Sequence, residues 1–288
     1  MNKPLVTNVP EGFVRIRGEV AYDGKNFSGW GMQPDQRTVQ GSIEEAFSQI
    51  IGGPRTIVQC AGRTDAGVHA TGQVMHLDVP IMWQDRLADL AYKVNAILDE
   101  DVVIKALLNT DQNFDARFAA LSRSYTYFIK EGLRDPLTRE RVYQHKRQLD
   151  VDAMNEASQV LIGLHDFSAF CKKTDYGTSI RNLQKFSWTR TSDDLIRVDI
   201  TSDAFCYSMV RALVGALISV GEGKRTKDWL AQYLASGQRD FGVFMAPAHP
   251  LTLVHVEYPP ESEYASRIEK TLKSRLDDAG IGQDGDRD

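Results

Sequence analysis

Residues 61–79 read AGRTDAGVHATGQVMHLDV and set two signals back to back. From Val74 onward, Met75, Leu77 and Val79 alternate with Val74, His76 and Asp78, the two-residue period of a strand. Ahead of it, Ala61–Gln73 packs an arginine, an aspartate, a histidine and three glycines into a stretch too polar for a core and too short for a helix. The pair reads as a loop feeding a strand. Upstream, Val14, Ile16, Gly18 and Val20 alternate with Arg15, Arg17 and Glu19, which predicts a first strand ending near Tyr22. A glycine-rich loop, YDGKNFSGWGMQ, follows it. Val39, Ile43, Ala46, Phe47 and Ile50 then recur at helical spacing until Gly52-Gly53-Pro54 stops the helix.

Downstream, a second helix is predicted through Leu87, Leu90, Ala91, Val94 and Ile97. Strands are predicted at Val102–Leu107, Tyr125–Ile129, Phe186–Thr191, Ile196–Thr201 and Leu253–Tyr258, and helices at Ala153–Ile162, Phe205–Val220 and Lys227–Ala235. Helices do not follow every strand, so the class is α+β, a largely antiparallel mixed sheet flanked by helices. The order strand, helix, strand, helix, strand occurs before residue 115 and loosely again after it, which predicts two similar halves forming one continuous sheet. The expected organisation is an N-terminal extension at 1–12, an N-terminal half at 13–118 carrying the aspartate loop, a C-terminal half at 119–260 and a polar tail at 261–288. The tail is expected to begin as a polar helix through Ala265–Leu276 and end disordered in DDAGIGQDGDRD.

With 42% hydrophobic and 25% charged residues in 288, the chain has the profile of a globular protein with a real core. MNKPLVTNVPEG lacks the apolar run of a secretion signal, and the longest apolar stretch, Ala212–Gly221, is about half of what spans a bilayer. These features predict a soluble, cytoplasmic protein without a membrane partner. Cys60, Cys171 and Cys206 are odd in number, far apart and without a CxxC pair, so they read as separate buried thiols rather than a disulfide framework or zinc cage. A net charge of -5 argues against a nucleic-acid partner, but Asp115–Arg147 holds eight basic and four acidic residues, a local balance of +4.

Gly62 and Gly67 form a GxxxxG, yet Val68 and His69 follow where a phosphate loop needs Lys and Ser or Thr. His69, His76, Asp78 and Asp65 lack the short spacing of a preformed metal site. Two readings of Asp65 remain open. In one, its carboxylate shapes a turn; in the other, small neighbours let a planar substrate approach a nucleophilic carboxylate, which then needs a cation to stay ionised. Arg63 and Arg211 are the candidate cations. Arg211 falls at the margin of the apolar stripe Met209, Val210, Leu213, Val214, Leu217 and Ile218, where an arginine either pairs with an anion or snorkels to water.

GRTDAGVHATGQV resembles the catalytic motif of the bacterial tRNA pseudouridine synthase A family. AYDGKNFSGW, RTVQGSIEEAF, FDARFAALSRSYTYFI, LIGLHDFSAF, FCYSMVRALVGALISVG and APAHPLTLVHVEY are similar to other family segments in the same order. The resemblance covers about residues 13–259; Gly31 and His249-Pro250 depart from it. It implies an isomerase that breaks the N1 glycosidic bond of a uridine, turns the uracil and rejoins it through C5. The implied targets are positions 38, 39 and 40 in the anticodon arm of tRNA, and the implied protein is a homodimer with no organic cofactor and no metal. By the same resemblance, Asp65 is the catalytic aspartate, as nucleophile or base. Tyr125 stacks on the target base and is a candidate for handling the C5 proton, Arg211 pairs with the aspartate, and Arg63 helps hold the flipped nucleotide. Extruding a paired nucleotide calls for an aromatic platform and cations on phosphates, which these residue types supply. Two rivals make other predictions: an RNA-binding module binds without turnover, and a metal-dependent hydrolase using Asp65, His69 and His76 is silenced by chelator.

Overall fold

The computed structural model describes residues 8–53, 55–172, 178–191, 194–239 and 242–278, with side chains to residue 273. The chain forms two compact units. The first runs to Leu121 and takes the chain back at His255–Ser274; the second covers Ser122–Val254. The boundary expected between residues 118 and 119 thus falls three residues later, and the end of the second expected half returns to the first unit.

The chain opens with β1 (Phe13–Tyr22) and α1 (Val39–Ile51), then β2 (Gln59–Cys60), β3 (His69–Pro80), α2 (Leu87–Asn95) and β4 (Val102–Asn109). β1 is the middle of an antiparallel trio, with β3 on one side and β4 on the other, and β2 pairs with β3. Ile16 lies opposite Leu77, so the apolar alternation of both strands points to one face. α1 buries Val39, Ile43, Ala46 and Phe47, while α2 packs on β4 and on α1. α1 starts where the Thr38 hydroxyl accepts from Gly41 N–H and ends at Gly52, φ 72°. Glu44 is buried on this helix, paired with Arg55 and accepting from Val58 N–H at 2.9 Å, and so ties the approach to β2 to the helix.

The second unit contains β5 (Ser122–Glu131), β6 (Tyr143–His145), α3 (Val151–Ser158), β7 (Gly163–Asp166), β8 (Ile180–Arg190), β9 (Leu195–Ser202), α4 (Met209–Gly221) and α5 (Lys227–Ser236). Strands run in the order β5, β9, β8, β7, all antiparallel, with β6 parallel to β5. α4 is buried almost all round, and α3 packs on it and on β8. β10 (Leu251–Glu257) carries the chain back into the first unit, which takes α6 (Tyr264–Asp278) as far as Ser274. The α+β, largely antiparallel class stands. Three strands that alternation does not reveal, β2, β6 and β7, have two to four residues, too few to establish a period. α4 begins four residues after the expected Phe205, because Ser208 has φ 62° and cannot continue a right-handed helix.

Two further expectations meet the structure differently. The helix expected through Ala265–Leu276 is α6, but it packs on the protein rather than standing in solvent. Tyr264 and Ile268 are buried, the Tyr264 ring lies 5.0 Å from Phe114, and the Thr271 hydroxyl donates to Phe118 C=O. Residues 279–288 lie outside the described residues. Cys171 and Cys206, expected as separate thiols, form a disulfide, while Cys60 is buried and takes no part in one. Among the described residues no helix is long and apolar enough to cross a membrane.

Candidate functional site

The loop from Ala61 to Val68 joins β2 to β3 and is anchored at alternate points. Ala61 N–H donates to Val74 C=O at 2.8 Å, Trp30 N–H to Thr64 C=O at 3.0 Å, and Val68 N–H to Asp65 C=O at 3.1 Å. Thr64 and Val68 are buried, whereas Asp65 between them is half-buried and Arg63 exposed. The pattern is that of a tethered turn that lifts one carboxylate to the surface. Gly67 makes the turn possible with φ 79°, a conformation that costs other residues. Beneath it, the Tyr22 and Thr64 hydroxyls are 2.8 Å apart, and the Gln73 amide donates to Gly62 C=O at 2.8 Å and to the Tyr22 hydroxyl at 3.3 Å.

The loop is also pinned from the side by the glycine-rich segment after β1. Gly24 N–H donates to His69 Nδ1 at 2.9 Å, and a Cβ at Gly24 would lie 2.0 Å from the Val68 carbonyl, so only glycine allows the approach. The Arg63 side chain runs past Gly31, where a Cβ would sit 3.6 Å from its Cδ. Tyr22, Thr64, Gln73 and Gly24 are supports that sequence reasoning left without a role, and His69, weighed there as a metal ligand, is another. Most of their partners lie tens of residues away and meet through the β1 and β3 pairing.

His76, weighed in the sequence as a metal ligand, is structural. It is buried, accepts from Ala116 N–H at 3.0 Å through Nδ1, and is driven to a pKa of about 3 first by burial and then by the nearby Arg15. Arg15 in turn pairs with Asp78 through two bonds of 2.8 and 3.0 Å. No group of three His, Cys, Asp or Glu side chains among the described residues is arranged to hold a metal ion.

In the second unit, Tyr125 lies on β5 opposite Ile200 of β9, with only 7% of its surface exposed. Its ring meets Phe205 edge to face, centroids 5.3 Å apart at 88°. The turn carrying Phe205 is fixed by Asp203, which accepts from Asn182 and Ala204 N–H groups through its carboxylate and from Arg123 at 2.7 Å through its carbonyl. Arg123 is therefore buried and engaged, and is the one member of the eight-base stretch fully withdrawn from the surface; Arg117, Arg134, Arg139, Arg141, Lys146 and Arg147 are exposed. Arg211, in the first turn of α4, is half-buried. Its Nε donates to Ala246 C=O at 2.8 Å while Ala246 N–H donates back to Arg211 C=O at 3.2 Å. Burial pushes the Tyr127 phenol well up, opposed by the positive charge of Arg211.

Asp65 and Arg63 thus share one loop of the first unit, and Tyr125 and Arg211 belong to the second.

A family model described as tRNA pseudouridine synthase matches residues 157–259. A curated relative from Frankia casuarinae, tRNA pseudouridine synthase A, is 46% identical over 268 residues, 92% of this chain and 97% of that protein. Relatives of the same name from Streptomyces griseus subsp. griseus and Mycobacterium leprae are 46% and 41% identical, over 92% and 91% of this chain and 95% and 96% of their own. Among solved structures, a chain of a Cbf5-Nop10-Gar1 complex aligns with 83% of this chain and 58% of its own length, at 11% identity and a TM-score of 0.32, too slight a likeness to weigh.

Proposed function

This chain belongs to the tRNA pseudouridine synthase A family, and from that membership we propose that it isomerises uridines at positions 38, 39 and 40 of the anticodon arm, with Asp65 as the reacting carboxylate. The observation that carries the reading is identity of 46% across nearly the whole of both chains, with the aspartate motif inside the aligned length. In the reaction the N1–C1′ bond breaks, a C5–C1′ bond forms, C5 gives up a proton and N1 gains one. The product is an isomer, so no oxidant and no second substrate is consumed.

Each site residue has a part that its setting supports. Asp65 stands on a turn anchored on both sides, which limits the reorganisation needed to meet the nucleotide as nucleophile or base. Tyr125, braced by Phe205, offers a ring for the extruded uracil and a hydroxyl for the C5 proton. Arg211 and Arg63 supply positive charge for carboxylate and phosphate. The enzyme acts as a cytoplasmic homodimer, with no organic cofactor and no metal.

Tritium release from unmodified tRNA labelled at C5 of uridine tests the reading. Release in the presence of a chelator, with pseudouridine mapped to positions 38–40, is the expected result. Binding without release overturns it in favour of an RNA-binding module, and release abolished by chelator in favour of a metal enzyme.

A further inference from the structure

The turn that braces Tyr125 continues into residues with no part in the chemistry above. After Phe205 and Cys206, Tyr207 has 49% of its surface exposed, and Lys172 Nζ lies 5.2 Å from the centre of its ring. β8 and β9 are antiparallel, so the chain before β8 and the chain after β9 meet at one end. There the Cys171–Cys206 disulfide joins them, and Lys172 N–H donates to Tyr207 C=O at 3.0 Å. Ser208, the next residue, holds φ 62°, a conformation disfavoured for a side chain bearing a Cβ. An exposed aromatic ring and a cation are therefore fixed together within two residues of the ring that packs on Tyr125.

The exposed half of the Tyr207 ring and the Lys172 ammonium beside it are held at the surface by the backbone bond between the two residues. A flat ring with an ammonium group against it fits one chemistry well: an unpaired nucleotide, whose base stacks on the ring and whose phosphate meets the cation. We propose that Tyr207 and Lys172, joined by the backbone bond from Lys172 N–H to Tyr207 C=O, form a binding step for the nucleotide adjoining the target uridine. This rests on the reading of the chain as a tRNA pseudouridine synthase. Extruding a uridine leaves its neighbour unstacked on one side, and Tyr207 replaces the lost stacking.

The test uses anticodon stem-loop RNA with 2-aminopurine placed in turn on each side of the target uridine, read by fluorescence on binding, and by affinity and turnover. Wild-type protein quenches the probe at one of the two positions. Tyr207→Ala loses the quenching and weakens binding roughly five- to hundredfold, Tyr207→Phe restores both, and Lys172→Met lowers the slope of log affinity against log salt by about 0.7. Each variant is melted alongside wild type to establish that it is folded. Quenching and affinity retained by a folded Tyr207→Ala, or a loss that Tyr207→Phe does not restore, overturns the proposal. So does a loss that tracks weakened self-association in sedimentation, which assigns the ring to a contact between copies. If wild-type protein binds the probe RNA but forms no pseudouridine, the enzymatic reading fails while the stacking step is still read from binding alone.

Discussion

Tyr125→Phe separates the two tasks given to that side chain, because it keeps the ring against Phe205 and removes only the hydroxyl. Binding of tRNA should hold within about twofold while release of the C5 proton slows by 10²-fold or so, the usual weight of a positioned proton-transfer group; turnover equal to wild type makes Tyr125 a platform only. His76 carries a different prediction. Its folded pKa, about 3 against an ordinary 6.5, means that the unfolded chain takes up a proton more readily. Its neutral form therefore stabilises the fold fully above pH 6.5, and that contribution is lost as pH falls toward 3, by up to roughly 4–5 kcal/mol. His76→Asn keeps an acceptor for Ala116 N–H and should flatten urea-unfolding stability between pH 4 and 7; an unchanged pH dependence contradicts the assignment. At this scale Asp65 and Arg63 stand out in the sequence because they sit in a short, glycine-marked motif. Tyr22, Thr64 and Gln73 do not, because a hydroxyl or amide reveals its role only through a partner on another strand.

The element whose support the sequence concealed is the turn between β9 and α4. Cys171 and Cys206 are 35 residues apart in sequence, with Cα atoms 5.7 Å apart, and the hairpin of β8 and β9 brings them together. Nothing in their spacing gives that away, since register between strands is not visible in a single chain's alternation. A crosslink closing a loop of this length is worth about 2–4 kcal/mol. Reductant should therefore lower the melting temperature of the oxidised protein, and Cys206→Ser should melt at the lower temperature with or without reductant. Equal melting in both conditions contradicts the pairing. Longer elements were legible to within a residue or two where alternation or helical spacing persisted, as in β1 and α1, whereas β3 begins at His69, five residues before the alternation from Val74, inside the stretch expected to be loop. The start of α4 was misplaced because an apolar run says nothing about a left-handed residue at its head.

For the whole molecule, the tail is where composition misled. Residues past Pro260 are polar and carry eight acidic and five basic residues, which suggests solvated chain, yet two apolar side chains at the right spacing suffice to seat a helix. Ending the chain after Pro260 removes the buried Tyr264 ring from Phe114 and Ile268 from the core. The loss should be on the order of 3 kcal/mol or more, read as a lowered urea midpoint; an unshifted midpoint returns the helix to the status of an appendage. The α+β class followed from the periodicities of strands and helices, while the division into units, with His255–Ser274 returned to the first, depends on contacts distant in sequence.

Under the proposed function, one carboxylate raised on a tethered glycine turn performs an isomerisation on tRNA. Asp65→Asn keeps the size and much of the hydrogen bonding of that side chain but leaves an amide that is neither nucleophile nor base at neutral pH. Measured by tritium release from C5-labelled tRNA, with deamidation excluded by mass spectrometry, the variant should fall to background while its affinity for tRNA stays within about tenfold of wild type. Pseudouridine formation by Asp65→Asn at more than about 1% of the wild-type rate would rule out Asp65 as the reacting carboxylate and leave it a turn residue.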